Sequence, residues 1–258
     1  MARVVLSGVS LRYPVYSTSR QRSILGFAAN RVSFGRIARD AGNIPCVDAL
    51  DNISFRLQDG DRLALVGRNG SGKTTVLKLC AGLINPTHGG VEIEGSRASL
   101  LTPGSGLDYE RTGLENVDLV GRLLGVSRSG RKDLIEDVVE FTELGDFLTL
   151  PIRTYSAGML VRLMFALATS VPRDILIVDE IIGAGDALFV EKAAQRVRSL
   201  LSKAKILILA THSGEIASQM CNRAIWMESG RPLMSGAPDD VWDAYINQRK
   251  PRTVYAVA

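Results

Sequence analysis

Apolar residues along the chain fall into short unbroken runs bounded by polar residues, the pattern of strands buried on both faces. Three runs stand out: Arg62–Gly67 (RLALVG), Asp174–Asp179 (DILIVD) and Lys205–Thr211 (KILILAT). A glycine-rich turn and the apolar run Thr75–Cys80 follow the first, which predicts a strand, a loop and a helix. Between the second and third, Phe189, Ala193, Val197, Leu200 and Leu201 recur at helical spacing. Strands alternating with helices predict a parallel sheet covered by helices. From about 103 to 171 the strand signal disappears. There Leu134, Ile135, Val138, Val139 and Leu144 recur near the 3.6 period, and Gly145 is placed to cap their helix. Beyond the third strand, Ala224–Glu228, the Ser229-Gly230 turn and Pro232–Met234 predict a hairpin, and Asp239–Gln248 a last helix.

Composition narrows the class. With 258 residues, 46% of them apolar, the chain has ample core for a folded globule. Its longest apolar runs are Met159–Val171, interrupted by Arg162, and Lys205–Ala210, far short of the roughly 20 residues of a spanning helix. The start, MARVVLSGVSLRYP, lacks a secretory h-region, so the chain is expected in the cytoplasm. Cys46, Cys80 and Cys221 are odd in number and widely spaced, which predicts reduced core thiols rather than disulfides or zinc ligands. A net charge of +4 does not argue for nucleic acid. It is unevenly spread, however: residues 1–47 hold seven arginines against Asp40 alone, so the remainder of the chain sums to −2. A basic segment of this kind suits an anionic neighbour, or else is a solvated arginine-rich loop.

The chemistry lies at the ends of the buried strands. Gly67-Arg68-Asn69-Gly70-Ser71-Gly72-Lys73-Thr74 fits GxxxxGK[ST] between a buried strand and a helix, the context the motif needs. Its glycines let backbone N–H groups turn inward around phosphates, Lys73 supplies a point charge, the Thr74 hydroxyl suits Mg²⁺, and Thr75 continues the helix start. Asp179 ends a strand at the sheet's carboxyl edge, where it would hold Mg²⁺ directly or through water. The adjacent Glu180 is placed to orient or deprotonate an attacking water. Tyr155-Ser156-Ala157-Gly158-Met159 opens a helix with Ser156 at the N-cap, a second anion site in form and an ordinary capped helix in its plainer reading. The expected fold class is therefore α/β: a phosphate-loop NTPase core with a parallel sheet, an inserted helical subdomain at about 103–171 and antiparallel β elements. It is expected to form a single domain over 1–248, with a tail at 249–258.

These motifs, in this order, resemble the ATPase domains of ABC transporters. GRNGSGKT matches Walker A, YSAGM the signature, ILIVDE Walker B, and GAGD ending at Asp186 the D-loop; His212, in ATHS, matches the switch histidine. The resemblance implies that ATP and Mg²⁺ bind, and that two copies pair so that Ser156, Ala157, Gly158 and Met159 of one face the phosphate loop of the other. It implies that Glu180 and His212 are catalytic, and that a separate polytopic transmembrane subunit is the partner at the cytoplasmic face of the cell (inner) membrane. Tyr13 is similar to the aromatic residue that stacks on adenine, although its 54-residue separation from Gly67 is about double the family's usual spacing. Within the family, YSAGMLVRLMFALA, DEIIGAGDALFVEKA and RAIWMESGRPLMSG resemble the exporters of capsule, O-antigen or teichoic acid. Met159 and Ala157 depart from LSGGQ, and Thr102 stands nearest the place of a missing Q-loop glutamine.

The surplus before Gly67 is the insertion at about 14–46. On a helical wheel its Ile24, Phe27, Ala28, Phe34 and Ala38 share an arc, broken by Arg31. It is expected to meet the membrane surface, the transmembrane subunit or the pyrophosphate-linked lipid end of a glycan, or to be a neutral surface loop. Two other readings are a soluble ABC ATPase of translation or DNA repair and a catalytically silent regulator. The first would carry doubled motifs or a coiled-coil insertion. The second would lack Glu180 or His212.

Overall fold

A computed structural model describes residues 1–14, 37–39, 45–99, 106–179 and 187–248. Glu180, Asp186, Thr102, the tail after 248 and nearly all of the arginine-rich insertion lie outside the described residues. The chain divides into two compact units, the first comprising Met1–Ser96, Ile177–Glu180 and Lys205–Ala258, the second Arg97–Leu176 and Ile181–Ala204.

The first unit contains an antiparallel sheet of β1 (Arg3–Pro14), β2 (Ile37–Arg39), β3 (Pro45–Gln58) and β5 (His88–Glu94), in the order β2-β3-β1-β5. Alternation along β1 turns Val4, Leu6, Val9 and Leu11 inward, where they sit opposite Leu57, Phe55, Ile53 and Leu50 of β3. Irregularities between Leu6 and Arg12 shift the register, so that Tyr13 ends up paired with Val47. Ala38, assigned from the sequence to a helical arc, instead lies in β2 and pairs with Cys46 of β3. Three residues suffice for a strand here because β3 offers a ready edge.

The unit's other sheet holds β4 (Arg62–Val66), β7 (Ile175–Asp179), β8 (Ile206–Ala210), β9 (Arg223–Glu228) and β10 (Arg231–Gly236), in the order β10-β9-β4-β8-β7. β4 is parallel to both β8 and β9, and β9–β10 is the expected hairpin, its turn at Ser229-Gly230. Burial on both faces explains the unbroken apolar runs: Leu63–Val66 and Ile206–Ala210 are almost wholly inaccessible. Helices α1 (Lys73–Ala81), α6 (Gly214–Met220) and α7 (Pro238–Ile246) belong to this unit. Pro238 at the first turn of α7, with Asp239 and Asp240 beside it, suits the positive end of a helix.

All three cysteines are buried, and none is in a disulfide. Burial pushes the thiols of Cys80 and Cys221 up to about 12. Since the thiolate is the reactive form, the folded chain is expected to resist a disulfide-exchange reagent at Cys80 and Cys221 at pH 8, and to react at all three positions once denatured. Rapid native labelling at Cys80 would contradict the packing of α1.

The second unit opens with β6 (Arg97–Ser99), includes the first two residues of β7, and has the helices α2 (Gly113–Leu123), α3 (Gly130–Thr142), α4 (Ala157–Thr169) and α5 (Ala187–Lys203). Thr112 and Glu115 form a reciprocal capping box at α2. The Thr112 backbone N–H, followed by its hydroxyl, holds the Glu115 carboxyl below its ordinary value. Gly145 does not cap α3. Glu143 does so in the left-handed conformation at φ 55°, and Gly145 opens a 3₁₀ turn over Gly145–Thr149. Phe141, Phe165 and Phe189 form the centre of this unit, with centroids 5.6–6.0 Å apart. Arg196 lies 4.3 Å above the Phe141 ring and Arg162 5.0 Å above Phe189, so these cations cover ring faces. No helix among the described residues is long and apolar enough to cross a membrane.

Candidate functional site

The turn after β4 needs glycine at both of its ends, Gly67 and Gly72. Gly67 has φ +149°, and a Cβ there would run into the Met227 carbonyl of β9 and lie 2.9 Å from Ser71 Oγ. Gly72, at φ +108°, caps α1; a Cβ there would meet Leu50 Cδ2 at 2.9 Å and the Ala49 carbonyl at 3.2 Å. The Gly230 N–H donates to the Ser71 carbonyl at 2.8 Å, and the Asp51 N–H donates to the Gly230 carbonyl at 2.9 Å. The loop is thus seated on the β9–β10 turn and on β3. Its shape is supported by the protein's own contacts.

Lys73 is the first residue of α1 and only 7% exposed. Its Nζ donates to the Gly67 carbonyl at 2.6 Å and the Arg68 carbonyl at 3.2 Å, and stands 3.5 Å from His212 Nε2. A buried ammonium is costly unless oxygen atoms surround it, and the loop carbonyls meet that need. Next to it, the Thr74 hydroxyl donates to Asp179 Oδ2 at 2.7 Å. Residues 105 positions apart thereby form a pair of hard oxygen donors.

These groups face one cleft of about 540 Å³, within the range of ordinary ligand sites. Residues 69–75, Asp179 and His212 line it, together with Val47 and Ala49 of β3. Ser71 Oγ is buried there without a hydrogen-bond partner among the described residues. An orphaned hydroxyl beside a helix N-terminus and a lysine fits an anionic, oxygen-rich ligand such as a nucleotide phosphate. The Thr74–Asp179 oxygen pair fits Mg²⁺, which takes one or two protein oxygens and completes its shell with phosphate and water.

The structure therefore brings together Lys73, Thr74, Asp179 and His212, together with the loop residues 69–72 and Thr75. Gly67 and Arg68 contribute through their carbonyls. Tyr13 is 39% exposed and does not line the cleft, but directly paired residues share a sheet face, so its ring lies on the same face as the cleft residue Val47. Val47 and Ala49 escape sequence reasoning because only the β1–β3 register places them here. Ser156, Ala157, Gly158 and Met159 belong to the second unit, where Ser156 Oγ accepts from the Met159 N–H at 3.2 Å as the N-cap of α4.

The chain is similar to known proteins. A family profile described as ABC transporter matches residues 50–183, just over half the chain. The O-antigen export system ATP-binding protein RfbE of Yersinia enterocolitica is 42% identical over 230 residues, covering 89% of this chain and 96% of that protein. The O-antigen export system ATP-binding protein RfbB of Klebsiella pneumoniae is 40% identical, over 76% of this chain and 80% of its own. The teichoic acids export ATP-binding protein TagH of Bacillus anthracis is 36% identical over 76% of this chain but only 36% of its own length. Among solved structures, an ATP-binding subunit of an ABC transporter aligns over 92% of this chain and 90% of its own, with TM-score 0.66 and 21% identity. A dimeric, post-hydrolysis ATP-binding cassette holding ADP and Pi aligns over 91% and 98%, with TM-score 0.64 and 20% identity. These two speak to the fold, and they share the α/β arrangement expected from the alternating strands and helices. Sequence similarity along nearly the whole chain and a glycine loop seated on its own sheet lead to one assignment: the chain belongs to the ABC transporter family.

Proposed function

We propose that this chain is the ATP-hydrolysing subunit of an exporter that moves a lipid-linked cell-surface polysaccharide through a separate transmembrane subunit. It works as a pair of copies at the cytoplasmic face of the cell membrane. The observation that carries the ATPase reading is the convergence of Lys73, Thr74, Asp179 and His212 on one cleft. The glycan reading rests on the O-antigen and teichoic acid export named in the relatives.

In this reading Lys73 exchanges its loop carbonyls for the β- and γ-phosphates, while the loop N–H groups and Ser71 Oγ take phosphate oxygens. Thr74 and Asp179 would hold Mg²⁺, whose charge would offset that of the phosphates. Glu180, next to Asp179 in sequence, orients and deprotonates the attacking water. His212, beside Lys73, donates to the γ-phosphate as charge builds on it. Tyr13 offers its ring to adenine. Ser156 and Gly158 of a second copy complete the site with the N-terminus of α4, Ala157 and Met159 flanking them, and Asp186 links the two copies.

The test is phosphate release by the purified full-length chain, alone and with its membrane partner. Glu180→Gln is expected to keep nucleotide affinity within about twofold while turnover falls at least about 100-fold, the lower range for loss of a general base. Near-normal turnover would remove Glu180 from its role. Co-purification with a polytopic membrane protein encoded beside glycosyltransferases supports the export reading. Pairing with an importer's substrate-binding lipoprotein overturns it.

A further inference from the structure

His212 is exposed, yet the residues on either side of it are fixed. Before it, the N–H of buried Thr211 donates to the Leu65 carbonyl of β4 at 3.2 Å, and Thr211 Oγ1 accepts from the Ser213 N–H at 3.1 Å. After it, Ser213 caps α6, its Oγ accepting from the Ile216 N–H at 3.3 Å. α6 has only seven residues, too short for a helix to hold by its own hydrogen bonds, so packing must decide where it begins.

That packing comes from α7. The five-membered edge of the Trp242 indole covers Gly214, the first residue of α6: a Cβ added there would lie no more than 2.5 Å from Nε1, Cε2 and Cδ1. Gly214 has an ordinary helical conformation, so an indole, and not backbone strain, accounts for the glycine. Trp242 packs on Tyr245 at 5.4 Å, and Tyr245 meets Trp226 edge-on at 5.8 Å. Trp226 pairs with Val66 of β4, the residue before Gly67. One aromatic stack therefore runs from the base of the phosphate loop to the start of α6, two residues past His212. A hydrogen bond from the Ser218 hydroxyl to Asp239 joins α6 and α7 a second time.

We propose that Trp242 is a positioning residue for His212: α7 clamps Gly214 and thereby holds the imidazole beside Lys73 and over the γ-phosphate. Trp242 itself lines no part of the cleft. The proposal rests on the reading of His212 given above. Phosphate binding by the loop does not depend on the clamp, so the clamp acts on turnover and leaves nucleotide affinity alone.

Gly214→Ala pushes the indole away and displaces the α6 start. Turnover of the full-length chain is expected to fall about 10- to 100-fold, the cost of misplacing a catalytic group by about an ångström. Nucleotide affinity is expected to stay within about twofold, because the Lys73 contacts with the loop carbonyls of Gly67 and Arg68 are untouched. Adding Trp242→Leu removes the overlap and is expected to restore turnover to within about threefold of the parent, as relief of a local clash does. In a His212→Ala background Gly214→Ala should cost nothing further, the non-additivity of two changes acting through one group. Trp242→Leu alone, which creates space instead of a clash, is expected to lower turnover with affinity retained, and it decides the question if Gly214→Ala does not fold. Parent-like turnover in both single variants, or losses that multiply with that of His212→Ala, overturn the proposal. If His212→Ala itself turns over normally, the assignment of His212 fails and the clamp's role with it.

Discussion

Replacing Lys73 with alanine is expected to weaken nucleotide binding about 10- to 150-fold, the equivalent of the roughly 1.5–3 kcal/mol of a hydrogen bond to a charged group. Phosphate release should fall further, because charge grows on the transferred group as the bond breaks and a fixed cation then matters most. Titration with a fluorescent nucleotide and a phosphate-release assay check the two effects separately. The ammonium is nearly buried and held by the Gly67 and Arg68 carbonyls, so the loop must retain its shape without it for the comparison to be clean. The glycine contacts with Met227 and Leu50 provide for that. Lys73→Arg tests geometry at constant charge: a planar fork in a site built for a point donor should recover little. Affinity within twofold of the parent in Lys73→Ala would place the phosphates elsewhere.

Phe165→Ala should destabilise the second unit by about 3–5 kcal/mol, the usual cost of emptying a buried aromatic site. Phe165 is 2% exposed and contacts two further rings, stacked on Phe141 at 5.7 Å and edge-on to Phe189 at 6.0 Å. The surroundings cannot close over the gap easily, since Arg162 and Arg196 already lie across the outer ring faces. Denaturant unfolding measures the loss, and hydrogen exchange along α4 locates it. Phe165 sits on the helix that Ser156 caps, so the variant also tests whether the signature residues need a rigid helix. Phe165→Leu, which retains much of the volume, should recover about half of the loss.

The parts of the site legible in sequence are those written contiguously. Eight residues in a row specify the phosphate loop, and the strand before it and helix after it are equally local. Asp179 is legible because it ends an apolar run, and His212 because it follows one. That the two meet at Lys73 and Thr74 is a fact of strand order: β8 lies between β4 and β7, and sequence spacing does not carry that order. Val47 and Ala49 stay hidden for a related reason. Irregular pairing between Leu6 and Arg12 decides which face each β3 residue presents, and a shift of one residue would turn them away. The α3 terminus illustrates a competition between signals. Gly145 is the better left-handed residue by preference, but α3 stops two positions earlier and Glu143 adopts that conformation instead. The Trp242–Gly214 contact carries no sequence signal, because a glycine opening a helix looks like any other weak helix start.

Strand order also has a consequence for synthesis. β4 carries the phosphate loop, yet its neighbours β8 and β9 begin at Ile206 and Arg223, more than half the chain later. A ribosome will have released the finished loop sequence long before the strands that flank it exist, so this buried, largely apolar strand must wait unpaired while the helical unit is made. ATP cannot assist early folding, since the phosphate loop is seated on the late-made β9–β10 turn, whose Gly230 N–H donates to the Ser71 carbonyl. A nascent chain halted before β9 should be captured by chaperones and ignore nucleotide, and the ability to bind ATP should arise abruptly near the end of translation.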